Sequence, residues 1–165
     1  MLKIFNDLTL FFEDNYHELG IREYSRFQKI SPPTASTILK EYQKEDLLLL
    51  RKERRYIFFR ANRENNIFID INRAYLRFRL SELTQFLANE TSFSQIILFG
   101  SLVKGEATIS SDIDLFLNCH FREINASKFE KNLSRNIQLH FSEALKNKDL
   151  LENIKKGIVL YGEMI

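Results

Sequence analysis

Asp112 and Asp114 stand two residues apart at the head of an apolar run. A short loop separates them from Gly100-Ser101, the pair that closes an earlier apolar run. Paired carboxylates on neighbouring same-side positions repel each other and call for a cation. Hard oxygen ligands suit Mg²⁺ or Mn²⁺ shared with substrate phosphates. Gly100 lacks a Cβ, so its backbone can approach a ligand closely. N–H groups at the start of a following helix, with the Ser101 hydroxyl, would then face phosphate oxygens. The chemistry implied is joint binding of a triphosphate and a divalent metal.

Elements that position these residues can be read around them. Ser94 to Phe99 ends in Ile96, Ile97, Leu98 and Phe99 and predicts a buried strand entering the Gly100 turn. A helix is expected from Leu102, and a loop at Gly105 and Thr108 to Ser111. The segment from Asp112 to Leu117 alternates, which puts Ile113, Leu115 and Leu117 on one side of a strand and both aspartates on the other.

Taken together, Leu98-Phe99-Gly100-Ser101, Gly105 and Ser111-Asp112-Ile113-Asp114-Leu115 resemble the signature of minimal nucleotidyltransferases of the DNA polymerase beta superfamily. The resemblance runs from about Ser94 to Gly162. Ile137 to His140, Ser142 to Leu145 and Ile158 to Glu163 are similar to that family's closing strand, helix and final strand. It implies that Gly100 and Ser101 hold the terminal phosphates of a nucleoside triphosphate and that Asp112 and Asp114 ligate the bridging metal. Active members usually carry a third carboxylate on a neighbouring strand, and the matching position here holds Gln138. An amide can coordinate a metal but cannot accept a proton, and loss of proton-transfer assistance is typically worth ~10²- to 10⁴-fold in rate. His140 shares the face of Gln138 and could offer an imidazole near the site, but the favoured expectation is a hydrogen-bonded, half-buried histidine.

The 165 residues give room for one medium domain or two small ones, with enough apolar content for a core. No apolar run is long enough to cross a bilayer and Met1-Leu2-Lys3 opens no signal peptide, so a cytoplasmic protein without membrane contact is expected. The single Cys119 excludes an internal disulfide and reads as structural. Net charge is +2, and the excess lies in residues 1–66, with 12 Lys/Arg against 10 Asp/Glu. Within it, Arg51, Lys52, Arg54, Arg55, Arg60 and Arg63 are opposed by Glu53 alone. Such a cluster is an electrostatic footprint for a phosphate backbone.

Helical periodicity over Leu2 to Phe12 and Ile21 to Phe27 precedes Ser31-Pro32-Pro33, a cap and first turn that predict a third helix. That helix should bury Ala35, Ile38, Leu39 and Tyr42. Leu47 to Arg51 and Arg55 to Arg60 then predict a β-hairpin. Residues 1–64 resemble a winged helix-turn-helix domain, which implies double-stranded DNA as a partner. Thr34, Ser36, Thr37 and Lys40 would face the groove, and Arg51, Lys52, Arg54 and Arg55 the phosphates. Residues 65–90 predict a long connecting helix with two apolar stripes: Phe68, Ile71, Tyr75 and Phe78, and Leu76, Leu80, Leu83 and Leu87. Two stripes cover two surfaces, either both domains or a second copy of the chain in a homodimer.

The expected fold class is α+β: a winged helix-turn-helix, a connecting helix, and a nucleotidyltransferase-like mixed β-sheet with flanking helices over 91–165. Two functions fit. One is Mg²⁺-dependent transfer of a nucleoside monophosphate to a hydroxyl on a protein, nucleic acid or small molecule, with weak activity because of Gln138. The other is a DNA-binding transcriptional regulator whose second domain binds nucleotide without turning it over.

Overall fold

Residues 2–90 and 95–162 are described by the computed structural model, so the expected strand start at Ser94 and the tail residue Glu163 lie outside the described residues. The chain divides into two units, Met1–Asn72 with Gly105–Ile109 and Arg73–Lys104 with Ser110–Ile165. This departs from the expected boundaries after residues 64 and 90. One helix is shared between the units, and the loop 105–109 bonds within the first of them.

In the first unit, α1 (Lys3–Glu13) buries Phe5, Leu8, Phe11 and Phe12 along one helical face. β1 (Leu19–Gly20) and α2 (Ile21–Gln28) follow. α3 (Pro32–Lys44) starts where the cap predicts: Ser31 Oγ accepts the Thr34 N–H at 3.3 Å and prolines fill the first turn. It buries Ala35 and Leu39, with Ile38 and Tyr42 partly covered. β2 (Leu48–Glu53) and β3 (Tyr56–Ala61) pair antiparallel, closing at Glu53 opposite Tyr56, and β1 adds to the far edge of β3. The hairpin therefore turns at Arg54-Arg55, slightly later than expected, with Arg54 at φ 54°.

Asp7 ties the helices of this unit together. Its carboxylate accepts from Lys3 Nζ at 2.8 Å and the Tyr42 hydroxyl at 2.9 Å, while its backbone carbonyl accepts the Tyr24 hydroxyl at 3.0 Å. A buried carboxylate with those partners escapes the penalty of an uncompensated charge. Asn15, fully buried, does similar work for the loop. Its N–H donates to the Ala107 carbonyl and its Oδ1 accepts the Ala107 N–H, both at 2.8 Å. Arg63 Nε donates to the Gly105 carbonyl at 2.7 Å. Gly105, at φ 68°, lies so close to Ile69 Cδ1 that a Cβ there would collide with it.

The expected continuous helix over 65–90 is two helices, α4 (Asn66–Arg79) and α5 (Ser81–Glu90), meeting at Leu80. Ser81 Oγ donates to the Phe78 carbonyl at 2.9 Å, occupying the acceptor that a continuing helix would give to the next turn. Phe68, Tyr75, Leu76, Leu80, Leu83 and Leu87 are all buried within the chain itself, while Phe78 is 49% exposed. The two stripes are thus largely covered within the chain itself.

The second unit is built on a mixed sheet of order β6-β5-β4-β7. β4 (Gln95–Phe99) is buried along its whole length and runs through Gly100 into the short α6 (Ser101–Lys104). Burial of each such Ile, Leu or Phe is worth about 1.5–3 kcal/mol, which makes β4 the anchor of the turn that follows it. β5 (Ile113–Leu117) pairs antiparallel with β4; α7 (Ser127–Leu133) leads to β6 (Ile137–His140), which pairs parallel with β5. The helix expected over Ser142 to Leu145 is a five-residue 3₁₀ segment, Ser142–Lys146. The regular helix is α8 (Lys148–Lys155), because Asn147 Oδ1 caps it by accepting the Asp149 and Leu150 N–H groups at 3.0 and 3.2 Å. β7 (Ile158–Gly162) then closes the sheet antiparallel to β4. Among the described residues, no helix is long and apolar enough to cross a membrane.

Candidate functional site

The Gly100 turn and the paired aspartates meet because β4 and β5 are neighbours in register, Phe99 lying opposite Asp114. Gly100 has φ 82°, and a Cβ built on it would collide with Asp114 Oδ2. Only glycine meets both demands, a left-handed backbone and a carboxylate against its Cα. Ser101 opens α6 directly beside it, with Leu102 and Val103 buried beneath. Asp112 sits one residue before β5 and is partly exposed, as is Asp114.

β6 supplies the neighbouring strand, with Asp114 opposite Gln138 and Phe116 opposite His140. Gln138 Nε2 donates to Asp112 Oδ2 at 2.6 Å, and Asn136 Nδ2 donates to Asp112 Oδ1 at 3.2 Å. An ionised carboxylate only accepts, so the Gln138 amide presents its nitrogen to Asp112. Gln138 therefore acts on the aspartate as a donor rather than offering its oxygen to an ion between them. Asn136 has no place in the expected site; it lies one residue before β6, and its i, i+2 spacing from Gln138 is the signal that points to it.

His140 differs from the hydrogen-bonded histidine expected. Its Nε2 is buried with no hydrogen-bond partner, 3.6 Å from Asp114 Oδ1. Its ring meets Phe99 edge-on at 5.1 Å. Cys119, by contrast, is partly covered, and its Sγ donates to the His120 carbonyl at 3.1 Å. Burial raises its thiol pKa, as suits a structural cysteine.

Two carboxylates two residues apart beside the Gly100-Ser101 turn would suit one hard cation, with the rest of its shell supplied from outside the protein. Among the described residues, no group of three or more His, Cys, Asp and Glu side chains could hold a metal ion. The protein ligands thus fit one ion and do not fit a second, which would need a carboxylate where Gln138 donates an N–H.

In the first unit, the residues expected to face DNA fall into two groups. Thr34, Thr37 and Lys40 are exposed on α3 and Ser36 is partly covered. The Thr34 hydroxyl pairs with Ser31 Oγ at 2.8 Å, and Thr37 Oγ1 donates to the Pro33 carbonyl at 3.2 Å. Lys52, Arg54 and Arg55 are exposed around the hairpin end, where Arg55 lies over the Tyr56 ring at 5.7 Å. Arg51 is set apart. Its Nε and Nη2 fork onto Glu18, the shortest contact being 2.6 Å, and its Nη1 donates to Glu53 at 2.6 Å. The hydrogen bonds to Glu18 and Glu53 raise the Arg51 pKa further, and the guanidinium lowers that of Glu18. Arg51 is thus paired with two carboxylates, where the expectation had it facing a phosphate.

Compared with known protein families, residues 81–164, just over half of the chain, match the family described as polymerase beta, nucleotidyltransferase. No curated protein matches the chain.

Proposed function

The chain belongs to the polymerase beta nucleotidyltransferase family, and on that premise we propose that it transfers a nucleoside monophosphate from a nucleoside triphosphate to a hydroxyl acceptor. The observation that supports this reading is the contact of the Gly100 turn, which would cradle the phosphates, with Asp114 of the carboxylate pair. The acceptor oxygen attacks the α-phosphorus, the bond from that phosphorus to the bridging oxygen breaks, and pyrophosphate leaves. Gly100 and Ser101 would hold the terminal phosphates through backbone N–H groups and a hydroxyl. Asp112 and Asp114 would hold one Mg²⁺ or Mn²⁺, which supplies charge neutralisation on the phosphate oxygens when bound. With Gln138 in place of a carboxylate, the acceptor proton passes to water and transfer is slow. Positioning and electrostatics still supply most of the catalysis of such reactions.

A second reading is favoured by the Gln138–Asp112 hydrogen bond: a nucleotide-binding regulator that does not turn its ligand over. In both readings, the first unit is a winged helix-turn-helix that binds double-stranded DNA. The order of its helices and hairpin, the exposed Thr34, Thr37 and Lys40, and the unopposed Lys52, Arg54 and Arg55 support this. Incubation with labelled nucleoside triphosphates, Mg²⁺ or Mn²⁺ and candidate protein, nucleic-acid and small-molecule acceptors separates the two. Label transfer lost in Asp112→Ala/Asp114→Ala establishes the transferase. Nucleotide binding that shifts DNA affinity, with no transfer, establishes the regulator.

A further inference from the structure

We infer that His140 is a positioning residue for Asp114, holding Oδ1 so that Oδ2 is presented to the Gly100 turn; this deepens the proposed cation site and rests on it. The two oxygens of Asp114 have different surroundings. Oδ2 lies against Gly100, where phosphates would arrive, and Oδ1 faces His140 Nε2 at 3.6 Å. Nε2 has no partner of its own and is shut off from solvent. Around it the sheet face is apolar: Phe99 meets the imidazole edge-on, Phe116 lies opposite His140 in register, and both belong to a buried cluster with Ile97 and Ile154.

A buried donor left unpaired costs about 1–3 kcal/mol, so the pair is driven toward contact. Asp114 is the charged acceptor that the structure places within reach. The gap of 3.6 Å is just beyond a hydrogen bond, and a small rotation of the carboxylate closes it. That rotation pivots Asp114 about its buried side and fixes the oxygen that faces the turn. Groups that hydrogen-bond a metal-ligating carboxylate typically matter about 10- to 100-fold in metal affinity.

The test is Mn²⁺ titration of the full chain followed by electron paramagnetic resonance, which reads affinity without any turnover. Thermal melting of each variant is recorded in parallel. His140→Phe keeps a ring against Phe99 and removes the N–H, whereas His140→Gln restores a donor. His140→Met matches glutamine in size without one. The expected result is Mn²⁺ affinity about 10- to 100-fold weaker in the Phe and Met variants and largely recovered in the Gln variant. Wild-type affinity in His140→Met, or equal weakening in the Met and Gln variants, overturns the role of His140. If Asp112→Ala/Asp114→Ala still abolishes binding in that case, the cation site itself stands. Absence of saturable Mn²⁺ binding to the wild type overturns both.

Discussion

Gln138 donates its amide N–H to Asp112 across 2.6 Å, so the strand beside the paired aspartates contributes a donor where nucleotidyl transfer calls for a proton acceptor. Asn136 adds a second amide to the same carboxylate. Asp112 is thereby held in place by two neutral groups.

Gln138→Asp should convert this arrangement. The new carboxylate faces Asp112, repels it in the absence of metal and provides the missing base. Metal-dependent label transfer should rise by about 10²-fold or more, with tighter Mn²⁺ binding alongside. An unchanged rate in a variant that binds metal more tightly would show that proton transfer does not limit the reaction.

Gly100→Ala should damage binding and stability together. Its added Cβ collides with Asp114 Oδ2 on a backbone at φ 82°, so both strain and displacement of a site carboxylate follow. The expected loss is about 1–3 kcal/mol in stability, read by denaturant unfolding. Nucleoside triphosphate binding, followed by calorimetry, should fall with it. Retention of both would place the phosphates elsewhere.

Within the basic hairpin, the arginines should not be equivalent. Arg54→Ala/Arg55→Ala is expected to weaken DNA binding and lower the slope of log affinity against log salt by about 2. Arg51→Ala should leave that slope unchanged, because Glu18 and Glu53 already pair with Arg51. Removing so exposed a pair should change stability little. Fluorescence anisotropy with duplex DNA across a salt series checks all three statements.

Alkali should unfold the first unit through two tyrosines. Burial, together with Asp7, pushes the hydroxyls of Tyr24 and Tyr42 well above the ordinary value of 10.0. Folding thus favours their protonated forms, so the stability they contribute is complete below that value and is lost as pH rises past it. Absorbance near 295 nm should show these two of the six tyrosines ionising together with loss of helical circular dichroism. Their ionisation in the folded protein near the ordinary value would contradict the burial.

How far the chain could be read depended on the range of the interaction. Gly100-Ser101 ahead of Asp112 and Asp114 was visible because strand alternation and a turn are short-range patterns, and both landed as expected beside each other. The Ser31 cap with its two prolines likewise fixed the start of α3 from adjacent residues. Where a local side chain competed with the backbone, periodicity misled: Ser81 ended α4, and Asn147 moved the helix expected at Ser142 to Lys148–Lys155.

Residue types and local spacing were enough to place the Gly100-Ser101 turn, the carboxylates of Asp112 and Asp114, the amide at position 138 and the basic hairpin. Tertiary structure decided which partners those groups take. Arg51 is neutralised by Glu18 from 33 residues away, Asn15 grips Ala107 across 92, and Gln138 turns its nitrogen to Asp112 across 26. Such pairings depend on which strands and loops pack side by side, and a carboxylate or amide carries no mark in the chain of the neighbour it will meet.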